Sequence, residues 1–160
     1  MFRLLQCDGE ADISDELRKL PLEFKIISNI ELGNGGNIDK VVLGPSGVWS
    51  LEVKNWNGKI DDKNPYLSKA LTQAKGSAVR LSEFINEKLS EKIYVQPVLV
   101  ISNEIASIKF GFNKVEDVYV VGKKWLNDLL VMHTSGNLTT EHKVELEKLL
   151  VSLPNSIPLK

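Results

Sequence analysis

Cysteine is almost missing from this chain of 160 residues: Cys7 stands alone. One thiol cannot form an intrachain disulfide, and a zinc site built from several cysteines is excluded, so a reducing, cytoplasmic setting is expected. Histidine is nearly as scarce, with His133 and His142 both in the C-terminal region. No G-x-S-x-G elbow accompanies them, which leaves Ser-His-Asp hydrolysis little to build on. Both are expected at the surface or at helix ends. The segment MFRLLQCDGEADISDEL has no long apolar stretch, which predicts no signal peptide and no membrane span. Net charge is −1, so the chain does not coat nucleic acid by bulk positive charge. The glycines between Gly33 and Asn37 are followed by no G-x-x-x-x-G-K-[ST] pattern and read as a plain connector. Repeats and low-complexity segments are absent as well.

What is present suits one globular domain, with 42% apolar and 26% charged residues. Residues 9–19 predict a helix with Glu10, Ile13, Leu17 and Leu20 on one stripe, Asp8 as a cap and Pro21 as the stop. Phe24–Leu32 predicts a first strand, and two more follow in a hairpin. Asn64 as N-cap and Pro65 at the first helical position open a long helix with Leu67, Leu71, Ala74, Ala78, Leu81 and Ile85 as its core stripe. Tyr94–Ser102 reads as a fourth strand, and Pro97 prevents it from pairing on both sides along its whole length. Asp117–Gly122 reads as a fifth. Helices around Lys124–His133 and from Thr139 or Thr140 to Leu153 close the domain, and residues 154–160, with two prolines, read as a frayed tail. The order predicts an α/β sandwich with a mixed sheet. The long helix acts as a crossover that makes the third and fourth strands parallel.

The hairpin carries the chemistry. Gly44-Pro45-Ser46-Gly47 is a turn between β-branched and aliphatic runs. If these four residues form the loop, Leu43 pairs with Val48, Val41 with Ser50, and Asp39 with Glu52. A bulge at Gly47 would instead set Asp39 opposite Val53. In the first register two carboxylates face each other with β-carbons roughly 5 Å apart, which costs stability unless a cation joins them. Lys54, two residues past Glu52, points to the same face. Two carboxylates and an ammonium on neighbouring strands are the minimum set for metal-assisted cleavage of a phosphodiester. The plainer reading makes these residues the solvated face of an exposed hairpin. Against it, Asp39 and Glu52 are poor strand formers inside strong strand sequence, and Leu51 and Val53 mark a mostly buried strand. From Lys40 to Arg80 seven cations stand against three acids, a local basic zone in a neutral chain.

The run IDKVVLGPSGVWSLEVKNWNGKI resembles the core of the nuclease-related domain, NERD, of the PD-(D/E)xK or restriction-endonuclease-like superfamily. The resemblance extends to Gly9-Glu10, to LPLEFKIISNIEL, to LTQAKGSAVRL and to QPVLVIS, over residues 8–102. It implies an αβββαβ core with a mixed central sheet flanked by helices, plus C-terminal helices, in a single nuclease domain over residues 1–153. It implies Asp39 and Glu52 as metal ligands, with the Val53 carbonyl completing the shell, and Lys54 as the catalytic lysine. Glu10 would be a further acid near the metal and Gln73 the helix glutamine that positions water or phosphate. One departure is that Asn64-Pro65 lies eight residues before Gln73, whereas the family has Asn-Pro shortly before its glutamine.

These residues predict a Mg²⁺- or Mn²⁺-dependent nuclease acting on DNA, with RNA as the other substrate class. The rival expectation is a catalytically inactive nuclease-like module that binds nucleic acid or a protein partner. A homodimer pairing two sites for two strands is open on either reading.

Overall fold

The structure, a computed structural model, describes residues 2–33, 36–136 and 138–160; the side chains of residues 2–8 and 10 lie outside that description. In chain order the elements are α1 (Phe2–Leu17), β1 (Lys25–Glu31), β2 (Asn37–Gly44), β3 (Gly47–Lys54), β4 (Lys59–Ile60), α2 (Leu67–Leu89) and β5 (Val95–Ile101). Then follow β6 (Ser107–Ile108), β7 (Lys114–Val115), β8 (Val118–Gly122), α3 (Lys123–Met132), α4 (Thr140–Val151) and β9 (Ile157–Pro158). The main sheet runs β7-β8-β5-β3-β2-β1-β9, and β4 pairs with β6 in a small parallel ribbon.

β3 holds the centre because its sequence suits burial on both sides. It lies antiparallel to β2 and parallel to β5, and all of it is buried except Lys54. Strand alternation sends Trp49, Leu51 and Val53 to one face, where Ile13 and Leu17 of α1 and Leu126, Leu129 and Leu130 of α3 cover them. Burying each of these aliphatic side chains contributes about 1.5–3 kcal/mol. On the other face Ala78, Leu81 and Ile85 of α2 pack with Leu146 and Leu150 of α4. The first turns of α2 cover Leu99, Ile101, Val118 and Val120. The result is the expected mixed sheet with helices on both faces, a restriction-endonuclease-like α/β fold.

The hairpin takes the first of the two expected registers. Leu43 pairs with Val48, Val41 with Ser50 and Gly44 with Gly47. Gly47 has φ +120°, and a β-carbon there would lie 1.9 Å from Ser135 Oγ, so the turn tolerates only glycine. Ser46 ties the turn to α3: its Oγ donates to the Leu130 carbonyl at 2.6 Å and accepts from Trp49 Nε1 at 3.0 Å. β5 pairs with β3 along its length but with β8 only from Val98 onward, just past Pro97.

Several boundaries differ from the sequence reading. α1 spans Phe2–Leu17, so Asp8 sits inside it rather than capping it. Leu20 is still buried, but in the turn after the helix. α2 begins at Leu67, because Asn64 Oδ1 accepts the Tyr66 N–H at 2.9 Å and holds a side-chain turn ahead of the helix. The tail is not frayed. Ile157 and Pro158 add a strand to β1, and Lys160 Nζ donates to the carbonyls of Arg18, Leu20 and Pro21. The short strands β4, β6, β7 and β9 were not foreseen, since two residues carry no readable period. Residues 34 and 35 of the glycine connector lie outside the described residues. Among the described residues no helix is long and apolar enough to cross a membrane.

Candidate active site

Asp39 sits where the sheet opens. The β1–β2 ladder pairs Ser28 with Lys40 and Ile30 with Ile38, passing over Asn29 and Asp39. Asn29 has φ +59°, a left-handed conformation that asparagine tolerates better than most residues. The β2–β3 ladder likewise ends at Lys40–Leu51. Beyond it the Asp39 carboxylate takes over from backbone pairing: its Oδ2 accepts the Val53 N–H at 2.9 Å. The Asp39 carbonyl accepts from Ser28 Oγ at 3.2 Å and from Lys40 Nζ at 3.4 Å, and Lys40 Nζ also donates to Ser28 Oγ at 3.1 Å. Lys40 is 2% exposed. The buried Lys40 side chain thus tethers the main chain of Asp39.

The ladder's last pair, Lys40–Leu51, leaves Asp39 and Glu52 as the next residues on the two strands. Glu52 is buried beside Leu99 of β5, a costly place for a carboxylate unless it is held by partners. Lys54 provides one: its Nζ lies 3.6 Å from Glu52 Oε1. Alternation along β3 places Ser50, Glu52 and Lys54 on the α2 face, opposite Val53, whose side chain joins the α1 core. Val53 is thus tied to the site through its main chain.

Glu10 belongs to α1, and its side chain lies outside the described residues. Its neighbour Gly9 is packed tightly, since a β-carbon there would lie 2.5 Å from Ser102 Oγ and 3.5 Å from Asn55 Cβ. This close approach brings the backbone of α1 against the residues that follow β3 and β5. Gln73 is exposed on α2 and lines a groove of about 820 Å³ together with Lys54, Trp56, Pro65, Tyr66 and Lys69. Pro65 of the displaced Asn64-Pro65 pair thus lines the same groove as Gln73. Arg80, farther along α2, donates to Ser77 instead.

The donor set suits a hard divalent cation. Mg²⁺ binds through one or two carboxylates plus water and substrate phosphate, and needs no cage of protein ligands. Asp39, Glu52 and the Val53 carbonyl would be such a set. Among the described residues no three His, Cys, Asp or Glu side chains gather into a metal cluster. The histidines take no part. His133 ends α3 against Phe112 and Tyr119, and His142 faces Glu91 at 3.7 Å.

Sequence reasoning missed Ser28 and Lys40 as supports of Asp39, and Trp56 and Tyr66 as walls of the groove. A lysine at a strand-interior position was a usable sign of the first pair. Nothing local joins Trp56 to Tyr66, whose ring centroids lie 6.4 Å apart across the β4 ribbon connection.

No curated protein and no solved structure matches the chain. The model of the nuclease-related domain matches residues 7–102, which covers both carboxylates, the lysine, the crossover helix and β5. With that match spanning more than half of its length, the chain belongs to the NERD, or nuclease-related domain, family of the PD-(D/E)xK superfamily.

Proposed function

We propose that this chain is a Mg²⁺- or Mn²⁺-dependent nuclease that hydrolyses phosphodiester bonds in DNA. One observation carries the reading: the Asp39 carboxylate accepts the Val53 N–H, and the two neighbours of Val53, Glu52 and Lys54, lie 3.6 Å apart beside a groove lined by Lys54 and Lys69. Asp39, Glu52 and the Val53 carbonyl would hold a divalent ion, which when bound would supply Lewis-acid polarisation of the phosphate. The rest falls to the chain. The Val53 N–H orients the Asp39 carboxylate, and Ser28 and Lys40 fix its main chain. Lys54 is a compact ammonium able to donate to the attacking water or to a non-bridging phosphate oxygen as charge builds there. Gln73 reaches the same groove from α2 and offers both a donor and an acceptor to water or phosphate. Glu10 would, as the family resemblance implies, add a further acid near the metal. The lone cysteine suits a cytoplasmic setting.

The test is cleavage of supercoiled, linear and single-stranded DNA with Mn²⁺, Mg²⁺ or EDTA, run beside Asp39→Ala and Lys54→Ala. The wild type should cut only with metal, and either substitution should abolish cutting while circular dichroism stays native. Full activity in both variants would overturn the mechanism. A second reading, a module that binds nucleic acid or a protein without cutting, draws on the Glu52–Lys54 contact, which engages the lysine with the carboxylate. It expects DNA binding in EDTA and no cutting with any metal.

A further inference from the structure

We propose that the groove beside Lys54 is a stacking site for unpaired nucleobases, so that single-stranded DNA is the preferred substrate of this centre. The proposal rests on the nuclease reading for its catalytic half, and on the groove's own composition for its binding half. Trp56 and Tyr66 form an aromatic wall with centroids 6.4 Å apart and ring planes tilted by 45°. Trp56 is half-buried and braced against the cluster of Ile60, Leu67 and Leu71. Tyr66 is 68% exposed, so its ring adds little to the core, and its position is set by the Asn64 side chain. Lys54 and Lys69 flank the wall, and no carboxylate is among the lining residues. A volume of about 820 Å³ is in the range that takes a small organic ligand.

Each feature matches a need of a single strand. Aromatic faces accept any base by stacking, without reading sequence, and lysines beside them track the phosphates. A duplex offers no such contact, because its base faces are already stacked on one another. Lys54 and Trp56 line the same groove, which sets a cation for phosphate beside the stacking face. Another cavity, about 810 Å³ at the start of α3, also holds an aromatic pair, Phe112 and Trp125, and lysines, but Glu16 and Glu104 are among its lining residues, and those carboxylates repel a phosphate chain.

The test measures binding and cutting separately. In EDTA, fluorescence anisotropy with labelled oligothymidylate and with a duplex of equal length should show tighter binding of the single strand. Tyr66→Ala should weaken single-strand binding by about tenfold, the loss of roughly one stacked base, and leave duplex binding unchanged. Tyr66→Phe, which keeps the ring, should bind as the wild type does. Single-strand affinity unchanged in Tyr66→Ala, equal losses for both DNAs, or no preference in the wild type would each overturn the stacking site. Mn²⁺-dependent cutting is then read on the same strands. Cutting that needs Asp39 but ignores Tyr66 overturns the stacking site alone. The expected binding pattern with no cutting by the wild type sustains the stacking site and overturns the nuclease reading.

Discussion

The Val53 N–H donates to Asp39 Oδ2 at 2.9 Å, across the point where the β2–β3 ladder has ended. A side chain assigned to a metal is therefore also a structural acceptor. The two roles separate by substitution. Asp39→Ala removes both and should cost about 1–3 kcal/mol of stability by stranding a half-buried N–H. Asp39→Asn keeps a carbonyl oxygen for that N–H and removes only the charge. It should unfold in urea near the wild-type midpoint and yet fail to cut DNA. Wild-type cutting by the Asn variant would take Asp39 out of the chemistry.

Ser28 acts on the same residue from the other side. Its hydroxyl donates to the Asp39 carbonyl and accepts from the buried Lys40 Nζ. Ser28→Ala removes the hydroxyl that links the two and should cost about 1–3 kcal/mol. If Ser28 is a positioning residue, the Mn²⁺ concentration needed for half-maximal cutting should also rise. A loss of stability with unchanged metal dependence would make its role structural only.

Gly9 and Gly47 should respond differently to alanine. At Gly9 the closest atom is Ser102 Oγ, which can rotate away, while the helix gains up to about 1 kcal/mol from losing a glycine. Gly9→Ala should thus be close to neutral, whereas Gly9→Val should cost about 1–3 kcal/mol by forcing α1 off the sheet. Gly47→Ala meets positive φ as well as Ser135 Oγ and the Gly136 backbone, and should cost about 2 kcal/mol or more. Urea denaturation of the three variants ranks them. A Gly47→Ala protein as stable as Gly9→Ala would contradict the turn geometry.

Tyr94 gives a spectroscopic marker at alkaline pH. Tyr94 is 53% exposed, and partial desolvation of its phenol raises the pKa above the usual value, with the nearby Asp117 and Tyr119 adding to the rise. A raised folded pKa favours the protonated phenol. Its contribution to stability is complete below the unfolded tyrosine pKa and is lost as pH climbs through the folded value. The tyrosinate absorbance that Tyr94→Phe removes should therefore appear late in the titration. An early or ordinary midpoint would argue against this environment.

Much of the centre was legible in the chain itself. A two-residue period and the Gly44–Gly47 turn are local properties, so they narrowed the hairpin to two registers, the first of which is found, and sent Glu52 and Lys54 to one face. The apolar stripe of α2 predicted a crossover, and β3 and β5 are parallel accordingly. Pro97 marked where two-sided pairing of β5 could begin. Tertiary packing decided the remainder. It closed the sheet with β9, seated Gly9 against Ser102, placed Lys40 behind Asp39, and brought Tyr66 and Gln73 to the groove that starts at Lys54. These contacts join segments distant in sequence or turn on which atoms meet in a crowded interior. Alternation along one strand carries no record of either.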